Sequence, residues 1–170
     1  MEKFLDKISS YNILNNLLPG AIICYMLKIF MDINILQDGI VENLFIYYFA
    51  GMIISRIGSV IVESICKKIK LVVFAPYDEF VRASLIDDKV NILSETNNTY
   101  RTMLSMCLML LIVKAYIFIA NHVKWLSDYT VIIILFSLFI LFLYSYKKQT
   151  GYILKRVKYI IKNVTKEDVK

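Results

Sequence analysis

The chain is poor in the residues that build reactive centres. It has one histidine, His122, and three cysteines, Cys24, Cys66 and Cys107, with no two close together in sequence. A lone imidazole cannot make a metal site, and cysteines without short spacings form neither a disulfide framework nor a zinc motif. Each cysteine falls in or at the edge of an apolar block, where a thiol acts as a small hydrophobic filler. Also absent are a Walker loop, a dinucleotide-binding glycine motif, an HExxH pair and a Gly-x-Ser-x-Gly elbow. Asp78, Glu79, Asp87 and Asp88 have no histidine or cysteine beside them, so they read as solvated helix-start charges. No catalytic residue, metal ligand set or cofactor motif emerges, and the expectation is that the protein is not an enzyme.

No cleavable leader is expected either. Lys3 and Lys7 precede an apolar run from Ile13 to Phe30, but no small-x-small site follows it. The stretch Ala21-Ile22-Ile23-Cys24 resembles a lipoprotein site only until the bulky Ile23 is considered. The segment reads as a retained membrane span.

What the chain has in excess is hydrocarbon. Hydrophobic residues make up 58% of its 170 positions, against about 45–50% in soluble domains, and the mean hydropathy is +0.60. The excess is gathered into blocks, as membrane spans require. Four of them are expected to be long enough to cross a bilayer, which needs roughly 20 residues of helix. They cover about 14–34, 43–66, 102–121 and 129–146.

The net charge of +6 is distributed by topology. Lys and Arg crowd the N-terminus, the segment 67–101 and the tail 147–170, while the connection from Met31 to Glu42 has none and that from His122 to Asp128 has only Lys124. By the positive-inside rule, both termini and the middle segment are expected to lie in the cytoplasm and the two short connections outside, as in a multi-pass membrane protein. That distribution leaves no surplus of charge that calls for nucleic acid. Tyr47, Tyr48, Trp125 and Tyr129 mark outer edges, and Tyr100, Tyr144 and Tyr146 inner ones.

Several local patterns refine this reading. Pro19 and Gly20 sit in the first turns of span one, where early N–H groups lack partners anyway. Before them Phe4, Leu5, Ile8 and Tyr11 share one side of a short interfacial helix. The cytoplasmic segment 67–101 is too long for a bare connector. Pro76 with Asp78 and Glu79 reads as a helix start, and a second helix through Val90, Ile92 and Leu93 either ends at "ETNNTYR" or continues into span three. In the tail, Ile153, Val157, Ile160, Ile161 and Val164 recur at helical spacing among lysines. This basic amphipathic helix suits an anionic inner leaflet or a second copy of itself.

Charges inside the apolar blocks are the candidate functional residues. An ionisable group in mid-membrane costs about 2.5–3.5 kcal/mol on insertion scales and persists where it faces a bundle interior or a partner. Arg56 and Glu63 stand seven apart in "GMIISRIGSVIVE", about 10 Å along a helix, which is too far to pair directly. Ser59 lies between them, and Lys114 in span three is at a depth similar to Arg56. Arg56, Ser59, Glu63 and Lys114 are therefore the intramembrane candidates, with Lys114 also able to snorkel along its stem. Gly51, Ser55, Gly58 and Ser59 form a row of small residues that lets a neighbouring helix approach closely. Span two is thus expected to be the most buried.

Taken together, "NNLLPG", "GMIISRIGSVIVE" and "DDKVNILSETNNTYRTM" resemble a group of small bacterial membrane proteins with four predicted spans, over roughly residues 10–105. The resemblance supplies no catalytic residues. By size and topology it implies an accessory or effector component of anti-phage defence.

The expected fold is all-α: an integral membrane four-helix bundle with a small helical cytoplasmic cap. The expected function is a non-enzymatic, oligomeric anchor that transmits a signal for a cytoplasmic partner, binding through Arg82, Asp87, Asp88, Lys155, Arg156 and Lys158. The alternatives are an oligomeric channel lined by Arg56, Ser59, Glu63 and Lys114, and a small-solute transporter, which four spans fit only in a dimer.

Overall fold

A computed structural model describes residues 13–167, and these are helical throughout apart from short connections, with no strand among them. The interfacial stretch before Ile13 and the last three residues of the tail lie outside the described residues.

The first element, α1 (Leu18–Met31), has proline in its first turn and follows a π-helical turn, Ile13–Leu17. It stops at Asp32, which adopts a left-handed conformation (φ 57°). Beyond it, the chain satisfies itself locally: the Leu36 N–H donates to Asn34 Oδ1, and Asn43 both accepts from the Gln37 N–H (2.9 Å) and donates to the Gln37 carbonyl (2.8 Å). Side chains of this kind compete with the helical ladder, which is why the helix ends short of residue 34.

The second rod, α2 (Ile40–Lys68), is interrupted by a π-helical turn at Gly58–Val62. A short helix, α3 (Tyr77–Ile86), starts directly after Pro76 with Asp78 and Glu79 in its first turn. The rod α4 (Lys89–Ala120) runs unbroken from the polar "ETNNTYR" stretch into the apolar block. After one turn, α5 (Lys124–Asp128), the chain finishes in α6 (Thr130–Glu167).

Three helices, Ile40–Lys68, Lys89–Ala120 and Thr130–Lys162, are long and apolar enough to cross a membrane. The first apolar helix, Asn15–Met31, is shorter. The expected all-α fold is thus present, with three long apolar rods and one short one. At 1.5 Å per residue, the 32 residues of α4 and the 38 of α6 extend about 48 and 57 Å. Both exceed the roughly 30 Å hydrocarbon core.

Burial concentrates on α2. Of the most apolar 18-residue stretch of each rod, 33% is buried in α2, 11% in α4 and 6% in α6. The core consists of Ile23 and Cys24 from α1, Ile54 from α2 and Met106 from α4. Two glycines set the α1–α2 distance. A Cβ on Gly20 would strike the Tyr47 carbonyl, and one on Gly51 would strike the Asn16 backbone. Glycine allows this close approach, which is how helices associate in lipid.

The row of small residues on α2 serves three neighbours rather than one. Gly51 and Ser55 face the π-helical turn before α1, Gly58 lies against Arg101 and Ser105 of α4, and Ser59 meets Lys148 of α6.

Candidate functional site

Glu63 is the convergence point of the molecule. Its side chain is 6% exposed and receives three cations: Lys67 Nζ at 2.7 Å, Arg101 Nη1 at 2.6 Å and Lys148 Nζ at 3.2 Å. Lys67 follows it by one turn of the same helix, whereas Arg101 comes from α4 and Lys148 from α6. The carboxylate therefore ties the C-terminal end of α2 to two other rods. Such a buried carboxylate persists only because it is paired and fully hydrogen-bonded.

The π-helical turn prepares this clasp. The Glu63 N–H reaches back to the Gly58 carbonyl, five residues away, rather than to Ser59. The Ser59 carbonyl accepts from Lys148 Nζ, which also donates to Ser59 Oγ at 3.0 Å. A single wide turn of this kind redirects the helix face and frees a carbonyl, a common device at functional sites. The three donors of the Lys148 ammonium are thereby matched by three acceptors on α2. Lys67 rests over the Phe74 ring, 4.0 Å from its centre, a further cation–π restraint.

A second polar layer joins the same helices close to the clasp. Thr102 Oγ1 donates to Asn15 Oδ1 at 2.8 Å, and Asn15 Nδ2 donates to Ser55 Oγ at 3.0 Å. Ser105 Oγ donates to the Ile54 carbonyl at 3.0 Å. Asn15, Ser55, Thr102 and Ser105 are all buried, so these bonds hold α4 and the start of the chain against α2 where no water competes.

The sequence-derived candidates are placed as follows. Ser59 and Glu63 meet in the clasp. Arg56 is half-buried and makes no ion pair with any described residue. Lys114 is exposed on α4 and likewise has no ion pair among the described residues. No hydrogen bond joins Arg56 or Lys114 to Ser59 or Glu63, so within one chain the four do not assemble into a path. Arg82, Asp87 and Asp88 are exposed at and just after α3, and Asp87 Oδ1 accepts the Lys89 N–H at 2.9 Å as a local turn. Lys155 and Lys158 face the first turn of α3 across a cleft of about 370 Å³ that also includes Tyr77 and Asp78. Arg156 lies 6.0 Å from the Tyr159 ring.

Sequence reasoning missed Asn15, Arg101, Thr102, Ser105 and Lys148. Arg101 and Lys148 read there only as topology signals. One clue was available: Glu63 is the only acid between Asn43 and Lys70, yet three basic helix ends had to gather near it.

Among the described residues, no group of three His, Cys, Asp or Glu side chains is placed to hold a metal ion. No family model matches the chain, and neither a curated protein nor a solved structure is significantly similar to it.

Proposed function

We propose that the protein is a non-enzymatic, four-span component of the bacterial cytoplasmic membrane with both termini inside. In this reading it assembles with itself and relays a signal between a cytoplasmic partner and its membrane bundle. The observation that carries the reading is the continuity of α4 and α6, which run without a break from apolar blocks into basic, polar segments. Rigid rods pass displacement from one end to the other, whereas a flexible linker would absorb it. The Glu63 clasp sits where these rods leave the apolar region, so a partner acting on α3 or the outer part of α6 would bear on it. The clasp also supports the topology, because the end of α2, the early part of α4 and the later part of α6 meet at one level. The end of α2 carries Lys67 and Lys68 and α6 is strongly basic from Lys147 onward, and such enrichment is the signature of the cytoplasmic side.

Arg56 favours a second reading. A half-buried cation without a described partner calls for a carboxylate from another copy or for a hydrated path. That path would be an oligomeric channel whose effect is depolarisation, in keeping with the defence role implied by the resemblance.

One experiment separates the two. Wild type and Arg56→Leu are expressed at matched membrane levels, membrane potential is followed with a dye, and a photo-crosslinker at Arg82 or Asp88 reports on the cap. A relay keeps cells polarised in both cases and gives one discrete crosslinked species. Depolarisation by wild type alone would overturn the relay in favour of the channel.

A further inference from the structure

Gly151 lies in the interior of α6, on the basic surface of the described residues. Glycine weakens a helix relative to alanine, so an interior glycine calls for a reason. At Gly20 and Gly51 the reason is a neighbouring backbone. At Gly151 no atom lies within 4 Å of where a Cβ would stand, so packing within the chain does not require it.

Two clefts meet at this gap. One, of about 400 Å³ between α2 and α6, is lined by Ser64, Tyr144, Lys147, Lys148, Tyr152 and Lys155, with Gly151 as part of its floor. The other, of about 570 Å³, also includes Gly151 and Lys147, and continues along Leu143 and Leu154. Lys147 and Lys155 stand four residues before and four after Gly151, about 6 Å away in each direction along the helix. The first cleft contains three lysines and no carboxylate. Glu63 lies behind Lys148, already engaged by three cations. Lys148 spends its hydrogen bonds on α2 and contributes charge, whereas Lys147 and Lys155 are exposed and keep theirs to offer.

The geometry points to a binding site for an anionic phospholipid, with its headgroup phosphate over Gly151 between Lys147 and Lys155 and an acyl chain running back along Leu143 toward the apolar part of α6. The chemistry fits on each count. Lysine ammonium groups bind phosphate as point charges, basic pockets beside membrane helices on the cytoplasmic side take acidic headgroups, and tyrosines mark the headgroup level. The missing Cβ leaves the space in which the phosphate sits. The inference rests on the membrane reading above and is independent of the partner.

The test uses the full chain expressed in membranes containing phosphatidylglycerol. Resistance to carbonate extraction is scored first, so a failure of the membrane reading is seen separately. The protein is then purified in mild detergent, and retained lipid is counted by native mass spectrometry. Wild type is expected to retain phosphatidylglycerol in preference to phosphatidylcholine. Gly151→Leu changes no charge and favours the helix, yet should lower retention at least tenfold, as should Lys147→Gln with Lys155→Gln. Arg156→Gln with Lys158→Gln removes the same charge and should change it less than twofold. Equal losses in the two double variants would mean diffuse attraction and overturn the site. So would an integral protein that retains no lipid, or retention indifferent to Gly151→Leu. Displacement of the lipid by excess inorganic phosphate, with a phosphate adduct in its place, would assign the site to free phosphate and overturn the lipid.

Discussion

Replacing Glu63 by glutamine tests the centre of the structure. The substitution keeps the shape and removes the charge, leaving Lys67, Arg101 and Lys148 facing one another. The three cations do not weigh equally. Lys67 is 44% exposed and can turn to solvent, so its loss is worth no more than the roughly 0–1 kcal/mol of a surface pair. Arg101 at 17% and Lys148 at 26% are held against the bundle. Leaving a buried partner uncompensated costs about 3–5 kcal/mol. Lys148 keeps its two bonds to Ser59, so the lower end, about 3 kcal/mol, applies. That corresponds to roughly a hundredfold more frequent detachment of α6 from α2. The assay is amide hydrogen exchange in lipid nanodiscs, read on peptides covering residues 144–152 and 97–104. Exchange there should rise about a hundredfold by local opening, while peptides of α1 stay protected. The double variant Glu63→Gln with Lys148→Met removes the stranded ammonium and should recover much of the protection. Unchanged exchange in Glu63→Gln would refute the idea that this carboxylate holds the rods together.

Gly20→Ala and Gly51→Ala should each lower the thermal stability of the detergent-solubilised protein, because the added methyl meets backbone that cannot yield. Gly151→Ala should raise it, by about 0.5–1 kcal/mol from helix propensity alone. Asn15→Ala removes the donor to the buried Ser55 hydroxyl, while Thr102 Oγ1 keeps its bond to the Asn98 carbonyl at 2.9 Å, and should cost about 1–3 kcal/mol. In a double-mutant cycle with Thr102→Val, the double variant should lose less stability than the sum of the two single losses. Lys114→Gln, on an exposed position, should leave stability within about 0.5 kcal/mol. A larger loss would indicate a partner for Lys114 in an assembly.

The elements legible in the sequence are those governed by local chemistry. Apolar blocks became the long rods α2, α4 and α6, because a helix satisfies its backbone internally wherever side chains are hydrocarbon. Pro76 with Asp78 and Glu79 marked the start of α3 for an equally local reason. The end of α1 was not legible. The competition from Asn34 and Asn43 depends on where the chain turns, and a hydropathy profile carries no such information. Nor was the π-helical turn at Gly58–Val62 legible, so the face shared by Arg56 and Glu63 in an ideal helix gave no hint that Lys148 would come between the Ser59 carbonyl and the Glu63 carboxylate.

The sequence by itself determined that the chain forms helices long and apolar enough to cross a membrane and which of its segments are basic, because hydropathy and charge add up residue by residue along the chain. Only the tertiary structure decided which cations meet Glu63. Arg101 is separated from it by 38 positions and Lys148 by 85. Their meeting depends on the rotation and spacing of whole helices: the backbone contacts at Gly20 and Gly51 and the buried bonds of Asn15 seat α1 and α4 on α2, and Lys148 brings α6 in through its own bonds to Ser59 and Glu63.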